Sequence, residues 1–379
     1  MSFAQDSVES LLADLVAIPS MNPMGRDRSS AEYREQTIAE FVLLYLKKQS
    51  IDATLHQVAP GRPNVVAHIS AGAPSTLLLE AHLDTVQADT MAVEPFRPSV
   101  RDGKLFGRGS CDTKGSIAAF IQAVTRILKT PSQLRYNIIL LFVSDEEYRF
   151  TGAQHAARKG LSADFGIVGE PTQLKIVRAH KGVTRWKITT RGAAAHSAYP
   201  ERGKNAIYAM ARVIERLEGY ASRLYSSQAH PLLGAPSLSV GVIEGGQAVN
   251  VVPDRCWIEI DRRTLPNETT TSVLEPVRSL LHDLPDWEMK DPHLSVAGME
   301  VTEGAPIVQQ LAHSIQGVLG SARIEGAQYA TDAGIYGAVG IPSVVFGPGD
   351  ILQAHTETEY VELDQVHNAV AILERFLSS

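Results

Sequence analysis

One apolar segment followed by acidic residues dominates the hydrophobic pattern of the chain. Ile138 to Val143 are consecutive apolar residues, and Asp145, Glu146 and Glu147 follow after a single serine. An uninterrupted apolar run of this kind is typical of a strand buried on both faces, as in a parallel sheet. Open α/β sheets carry their chemistry at the carboxyl ends of such strands. Adjacent acids beside a core repel one another, which a bound cation would relieve, although a solvated acidic loop explains the pattern equally well.

Other apolar runs have the same form. Residues 76–81 lead to His82 and Asp84, and residues 165–168 lead to Glu170. Shorter runs predict strands at 64–69 and 343–346. Apolar residues at helical spacing predict helices over residues 8–16, 31–48, 116–129, 152–157, 307–319 and 363–376. This alternation of strands and helices predicts an α/β domain with a mixed, largely parallel sheet.

The pattern changes near His180. Residues 183–190 alternate apolar and charged side chains, which is typical of a half-exposed strand. The predicted elements that follow are a helix at 205–224, strands at 237–243 and 255–260, a helix at 269–284 and a strand at 287–289. The order β-α-β-β-α-β is the ferredoxin-like pattern. We therefore predict an inserted α+β domain at residues 182–292, which splits the first domain into residues 1–181 and 293–379.

Composition limits the classes of protein that the chain can belong to. The 379 residues are 44% hydrophobic and 20% charged, which is ordinary for a globular protein, and the formal net charge of −7 argues against a nucleic-acid partner. No apolar run approaches the roughly 20 residues of a membrane span, and the first residues do not resemble a signal peptide. Cys111 and Cys256 match no zinc or redox spacing. These features predict a reduced, cytoplasmic protein without a membrane partner.

Histidines and carboxylates stand at the ends of separate predicted elements. The candidates for metal ligands are His82, Asp112, Glu146 or Glu147, Glu170 and His355. Imidazole and carboxylate without thiolate are the ligands of a catalytic zinc or a similar divalent ion. Five ligands are too many for one such ion, but they suit two ions that share a carboxylate, held about 3.5–4 Å apart.

Asp84 follows His82 by two residues, so its carboxylate can turn back to the imidazole ring. A ligating histidine usually donates its second N–H to a carboxylate, which fixes the tautomer. We therefore predict that the Asp84 carboxylate orients His82.

The candidate ligands lie within longer motifs, which are His82-Leu83-Asp84-Thr85-Val86, Gly107-Arg108-Gly109 with Asp112-Thr113-Lys114-Gly115, Asp145-Glu146-Glu147, Gly169-Glu170-Pro171-Thr172, and Gly347-Pro348-Gly349 with Ala354-His355. In this order and over nearly the whole chain, the motifs resemble the co-catalytic zinc amidohydrolase family of acetylornithine deacetylase, succinyl-diaminopimelate desuccinylase, aminoacylase and glutamate carboxypeptidase.

The resemblance implies a role for each ligand candidate in a zinc-peptidase-like catalytic domain. His82 and Glu170 would hold the first metal ion, and Glu147 and His355 would hold the second. Asp112 would bridge the two ions. The resemblance implies two divalent ions, with zinc expected and cobalt or manganese as alternatives. Glu146 would be the general base that activates a metal-bridging water.

The inserted domain carries motifs of the same family, in which it is a lid and dimerisation domain. His196, in Ala195-His196-Ser197-Ala198-Tyr199-Pro200, would reach a partner subunit's active site and donate a hydrogen bond to the oxyanion. Asn250 and Arg263 would contact the substrate carboxylate, and the neighbouring Arg262 leaves the choice of arginine open. The resemblance implies a homodimer through this domain, with the helix 205–224 and an edge strand as the contact.

Within the family, acetylornithine deacetylase is favoured by Val177-Arg178-Ala179-His180-Lys181-Gly182 and by Gly347-Pro348-Gly349 with Gln353-Ala354-His355. Glu170 after Gly169 favours small acyl-amino acid deacylases over peptidases. We therefore expect hydrolysis of a small N-acyl-L-amino acid, with N-acetylornithine first, as in arginine biosynthesis. A desuccinylase, a broad aminoacylase and a dipeptidase or carboxypeptidase are alternatives. Thr358-Glu359-Tyr360 replaces an Asp-Glu pair that is frequent in the family, which affects substrate detail rather than metal binding. An inactive metal-binding scaffold is less favoured, because Glu146 and all five ligands are present.

Overall fold

The computed structural model describes residues 6–28, 30–130, 134–227 and 229–378. The chain divides into two compact units. The first unit comprises Met1–Arg178, Glu300–Glu325 and Thr331–Ser379, and the second comprises Ala179–Met299 with Gly326–Ala330. The predicted insert at 182–292 falls inside the second unit, which extends beyond it at both ends and adds a short later segment. Within the described residues, no helix combines the length and apolar character that a membrane crossing requires.

Both units combine strands and helices. The strands are β1 (Ala53–Ala59), β2 (Arg62–Ile69), β3 (Thr76–His82), β4 (Ser99–Arg101), β5 (Lys104–Phe106), β6 (Asn137–Val143), β7 (Phe165–Val168), β8 (Ile176–His180), β9 (Gly182–Arg191), β10 (Ser237–Gly245), β11 (Arg255–Thr264), β12 (Trp287–Met289), β13 (Leu294–Val296), β14 (Met299–Glu300), β15 (Ile324–Ala327), β16 (Ser343–Val345) and β17 (Tyr360–Glu362). The helices are α1 (Val8–Ala17), α2 (Gln36–Lys48), α3 (Lys114–Ile127), α4 (Thr151–Arg158), α5 (Ala206–Tyr225), α6 (Thr270–Leu281), α7 (Pro306–Leu319), α8 (Ala333–Ala338) and α9 (Leu363–Leu377).

The main sheet of the first unit has a parallel centre with antiparallel flanks. Its strands follow the order β1-β2-β6-β3-β7-β16. β3 pairs in parallel with β6 and with β7, and β7 pairs in parallel with β16. β1–β2 and β2–β6 are antiparallel. The predicted mixed α/β sheet is confirmed, and its parallel part includes the three apolar runs that lead to candidate ligands.

The register of the parallel strands brings their carboxyl ends together. His82, the last residue of β3, lies opposite Val143, the last residue of β6. Val168, the last residue of β7, lies opposite Glu80 on β3. Side chains that follow these strands therefore emerge at the same edge of the sheet.

In the first unit, the start of one helix is set by a neighbouring residue and the start of another by a residue distant in sequence. Ser7 caps α1, because its hydroxyl oxygen accepts the Ser10 N–H at 3.2 Å. The predicted helix at 31–48 begins only at Gln36. Glu35 precedes the helix, is fully buried and pairs with Arg62 at 2.6 Å. This ion pair between residues distant in sequence holds Glu35 in place, and the helical turns predicted before Gln36 do not form.

The second unit is an antiparallel sheet covered by two helices. Its strand order is β10-β11-β9-β12, and the elements follow one another as β9, α5, β10, β11, α6 and β12, which is the ferredoxin-like order. α5 begins after Asn205, whose side chain accepts the N–H groups of Ile207 and Tyr208. The core between the helices and the sheet includes Trp186, Ile188, Met210, Val213, Leu217, Ile258, Ile260, Val273 and Val277.

Candidate metal centre

Two groups of potential ligands lie at the carboxyl edge of the parallel strands and share one residue. Each group has ligand atoms within 4.8 Å of one another. The first consists of His82, Asp112 and Glu170, and the second of Asp112, Glu147 and His355. The structure thus brings together all five side chains that the sequence nominates as ligands, from positions up to 273 residues apart.

Asp112 directs one carboxylate oxygen toward each group. Its Oδ1 lies 3.0 Å from Nε2 of His82, and its Oδ2 lies 3.3 Å from Nε2 of His355. Glu170 Oε1 is 3.9 Å from the same nitrogen of His82, and Glu147 Oε2 is 3.1 Å from that of His355. A carboxylate with its two oxygens facing different imidazoles has the arrangement needed to bridge two cations.

Carboxyl groups outnumber imidazoles in the centre. Burial raises the pKa of Glu146 and of Glu170 well above the usual value, and neighbouring carboxylates raise both further. Burial, with the nearby Asp112, also raises the pKa of Glu147. Buried carboxylates that repel one another are stabilised by cations among them.

The two histidines supply part of the positive charge in the metal-free protein. Hydrogen bonds to Asp112 and Glu147 raise the pKa of His355 to about 10. Burial disfavours a charged His82, but its hydrogen bond to Asp112 and the carboxylate of Glu170 outweigh burial and raise its pKa well above the usual value. Both imidazoles are donors in this state, and metal ions would have to displace their protons.

The carboxylate of Asp84 has different contacts from those predicted. His82 Nδ1 lies 2.9 Å from the main-chain carbonyl of Asp84, whereas the nearer carboxylate oxygen is 3.7 Å away. The carboxylate instead accepts the N–H groups of Glu146 at 3.1 Å and Glu147 at 3.2 Å. Asp84 therefore holds His82 through its backbone and the acidic loop through its side chain.

A buried polar network behind the acidic loop has no local signal in the sequence. Asn22 donates to Asp84 Oδ2 at 2.8 Å and to Asp145 Oδ1 at 2.9 Å. Arg62 donates to Asp145 Oδ1 at 2.7 Å and forms a two-point contact with Glu35. Asp145 adopts a left-handed φ of 67° where the chain turns from β6 into this loop. Sequence analysis missed Asn22, Glu35 and Arg62, because their partners lie 27 to 123 residues away.

The other predicted site residues lie in the second unit. His196 is exposed, and its Nδ1 accepts the Ala198 N–H at 3.1 Å. Asn250 is exposed, and its main-chain carbonyl accepts the Ser197 N–H at 3.0 Å. Arg262 is buried and paired with Glu268, whereas the side chain of Arg263 is 32% exposed and contacts Asp261.

Comparison with known proteins places this geometry in a family. A family model described as "Peptidase family M20/M25/M40" matches residues 78–379. An acetylornithine deacetylase of Myxococcus xanthus is 34% identical over 314 residues, which cover 81% of this chain and 80% of the relative. An acetylornithine deacetylase of Proteus mirabilis is 32% identical over 365 residues, covering 93% of this chain and 91% of the relative.

Solved structures share the fold at low sequence identity. The M20 family metallo-carboxypeptidase Sso-CP2 of Sulfolobus solfataricus superposes with a TM-score of 0.82 at 20% identity, over 98% of this chain and 99% of that one. The YXEP protein of Bacillus subtilis, described as a dinuclear metal-binding peptidase, has a TM-score of 0.71 at 18% identity, over 98% of this chain and 96% of that one.

Proposed function

The chain belongs to peptidase family M20/M25/M40 and is an amide-bond hydrolase, and from this premise we propose that it is a two-metal deacylase of N-acyl-L-amino acids, with N-acetylornithine as the first expected substrate. The observation that carries the proposal is the position of Asp112 between two ligand groups, with Glu146 next to the ligand candidate Glu147. The two acetylornithine deacetylases that cover most of this chain support the choice of substrate.

The donor set fits two divalent ions. His82, Asp112 and Glu170 would hold one ion, and Asp112, Glu147 and His355 would hold the other. Nitrogen and carboxylate oxygen donors without thiolate suit zinc, with cobalt and manganese as substitutes. The raised pKa values of Glu147 and Glu170 support the fit, because a cation relieves the repulsion that raises them.

Glu146 is proposed as the general base and general acid. When bound, the divalent ions would polarise the scissile carbonyl and lower the pKa of water. Beside bound cations Glu146 would be ionised, and its carboxylate would accept a proton from the attacking water. Glu146 then transfers that proton to the leaving amine nitrogen. Asp84 supports this role by accepting the Glu146 N–H, which fixes the backbone from which the side chain extends.

The predicted roles of His196, Asn250 and Arg263 form part of the proposal. His196 would donate a hydrogen bond to the oxyanion in the partner subunit, and Asn250 and Arg263 would contact the substrate carboxylate. The exposure of Arg263 favours it over Arg262, whose guanidinium is buried against Glu268. A two-point guanidinium–carboxylate contact suits this task.

A homodimer through the second unit is also proposed. β10 is an edge strand, and it exposes Val242 and Ile243 by 45% and 57%. Tyr208 on α5 is 68% exposed. An unpaired edge strand with exposed apolar residues favours pairing with a second copy.

The central experiment measures amine release and metal content together. The substrates are N-acetylornithine, other N-acetylated amino acids, N-succinyl-diaminopimelate and dipeptides, each with and without a chelator. Glu146→Gln should retain two zinc ions per chain and lose about 10²- to 10⁴-fold in kcat. The control Glu374→Gln, on α9, should match the wild type. Near-normal turnover by the Glu146 variant would show that the base is misassigned.

A second experiment separates the roles of the two units. His196→Ala should lower kcat without changing the zinc content, because an oxyanion donor acts on the transition state. His313→Ala, which removes an exposed histidine on α7, is the matched control. Full activity of a purified monomer would rule out action of His196 on a partner subunit.

A further inference from the structure

Glu359 is a buried acid that the proposed mechanism does not use. It is 1% exposed and lies four residues after His355, immediately before β17. β17 pairs antiparallel with β5, and the Glu359 carbonyl accepts the Gly107 N–H at 3.1 Å. This pairing brings the Glu359 side chain to the loop between β5 and α3, which carries Asp112.

The carboxylate of Glu359 accepts four hydrogen bonds from that loop. Oε1 accepts the main-chain N–H groups of Cys111 and Asp112, each at 3.0 Å. Oε2 accepts the N–H of Gly109 at 3.0 Å and a guanidinium N–H of Arg108 at 2.7 Å. A carboxylate with several N–H donors and a buried arginine forms strong, charge-assisted bonds.

These contacts restrain the backbone on which the shared ligand depends. One of the donors is the N–H of Asp112 itself, so Glu359 holds the residue whose two oxygens face the two groups. Gly109 adopts a left-handed φ of 82°, and a Cβ there would lie 2.7 Å from the side chain of Thr85 and 3.0 Å from that of Lys114. The loop can therefore wrap the Glu359 carboxylate only with glycine at this position.

Glu359 also links two of the loops that build the second group, those of Asp112 and His355. It follows His355 closely in sequence, and it bonds the loop of Asp112 in space. A displacement of Glu359 would therefore change the separation of His355 and Asp112, whose nearest atoms are 3.3 Å apart. Groups that orient metal ligands typically affect metal affinity by 10- to 100-fold.

We propose that Glu359 is a positioning residue that holds the Asp112 loop in the geometry required for metal binding. The inference rests on the proposed two-metal site. In this role Glu359 makes no contact with the substrate. The sequence by itself associates this position only with the choice of substrate.

The test is a zinc titration against a chelating dye, with no activity readout. Glu359→Gln removes the charge and places an amide N–H against the donors of Gly109 or Arg108, so zinc affinity should fall by about 10- to 100-fold. Glu359→Asp keeps the charge on a side chain one methylene shorter, and its affinity should lie between those of the Gln variant and the wild type.

A variant in the hydrophobic core tests whether zinc affinity falls merely because the folded protein is less stable. Leu46→Ala truncates a fully buried residue near the end of α2, which packs against the edge strand β1 and its neighbour β2. At a comparable fall in melting temperature it should bind zinc as the wild type does. Equal zinc affinity of the wild type and the Gln variant, or an equal loss in the Leu46 variant, would overturn the inference. If the Gln variant does not fold, the Asp variant decides: a loss of tenfold or more supports positioning, and wild-type affinity overturns it.

The result is distinguishable from failure of the proposed function. A wild-type protein that binds two zinc ions but releases no amine from any N-acyl amino acid would contradict the deacylase and leave the zinc titration interpretable. A fully active deacylase whose Glu359→Gln variant binds zinc normally would contradict only the positioning role.

Discussion

The two ligand groups share Asp112 but are built differently. The side chain of His82 in the first group is 2% exposed and ends a central parallel strand, whereas that of His355 in the second is 54% exposed and lies in a loop. His355 also adopts a left-handed φ of 63°, which is uncommon for a residue other than glycine. The sheet places His82, and loop contacts place His355. We expect the first group to bind its ion more tightly and to exchange it more slowly.

The largest effect on metal binding is expected when the shared ligand, Asp112, is removed. Asp112→Ala removes an oxygen from both groups and leaves each with two ligands. Zinc affinity at both positions should fall by more than about 100-fold, with activity lost in parallel. Metal analysis after gel filtration measures the stoichiometry. A variant that kept one tightly bound ion would show that one of the groups does not need Asp112.

Removal of each histidine separates the groups. His355→Ala should leave one zinc ion per chain. His82→Ala should weaken metal binding at the tighter position, and it should also reduce the yield of folded protein, because removal of a buried imidazole leaves a cavity. Stepwise chelation of the wild type should then remove the ions in two phases, with affinities about tenfold or more apart. A single phase for both ions would contradict the difference in construction between the groups.

The pH dependence of metal binding tests whether an ion displaces the proton of His355 in the second group. The pKa of His355 in the metal-free protein is about 10, so the ring carries a proton at pH 7.5, and an ion can bind only when that proton leaves. Affinity for the second ion should therefore rise with pH, on the order of tenfold per unit up to about pH 10. Calorimetry in buffers of different ionisation enthalpy measures the protons released. Release of no proton would contradict the assignment of His355.

The smallest expected effect tests the support of the acidic loop. Asp84→Asn keeps the main-chain carbonyl that contacts His82 but weakens the bonds from the Glu146 and Glu147 N–H groups. The second ion should bind about tenfold more weakly while the first is unchanged. An equal effect on both ions would indicate that the carboxylate of Asp84 also supports His82.

Much of the fold and the ligand set follows from local patterns. The apolar runs of β3, β6 and β7 predict buried strands, and their carboxyl ends predict where ligands emerge, because parallel strands in register end at one edge. The β-α-β-β-α-β order of the second unit is equally local, since alternation on β9 and helical spacing on α5 are properties of short segments. Sequence alone therefore determined the central strands and most of the helices, and which side chains are available for metal binding, but it did not predict short elements such as β5 and β17.

Tertiary structure decided how those side chains are supported. The donors to Glu359 are 247 to 251 residues away in sequence, and Arg62 lies 83 residues from Asp145. The start of α2 and the contacts of the Asp84 carboxylate likewise depend on residues from other elements. A buried charge must find its hydrogen-bond partners wherever the folded chain supplies them, and no short segment of sequence contains that information.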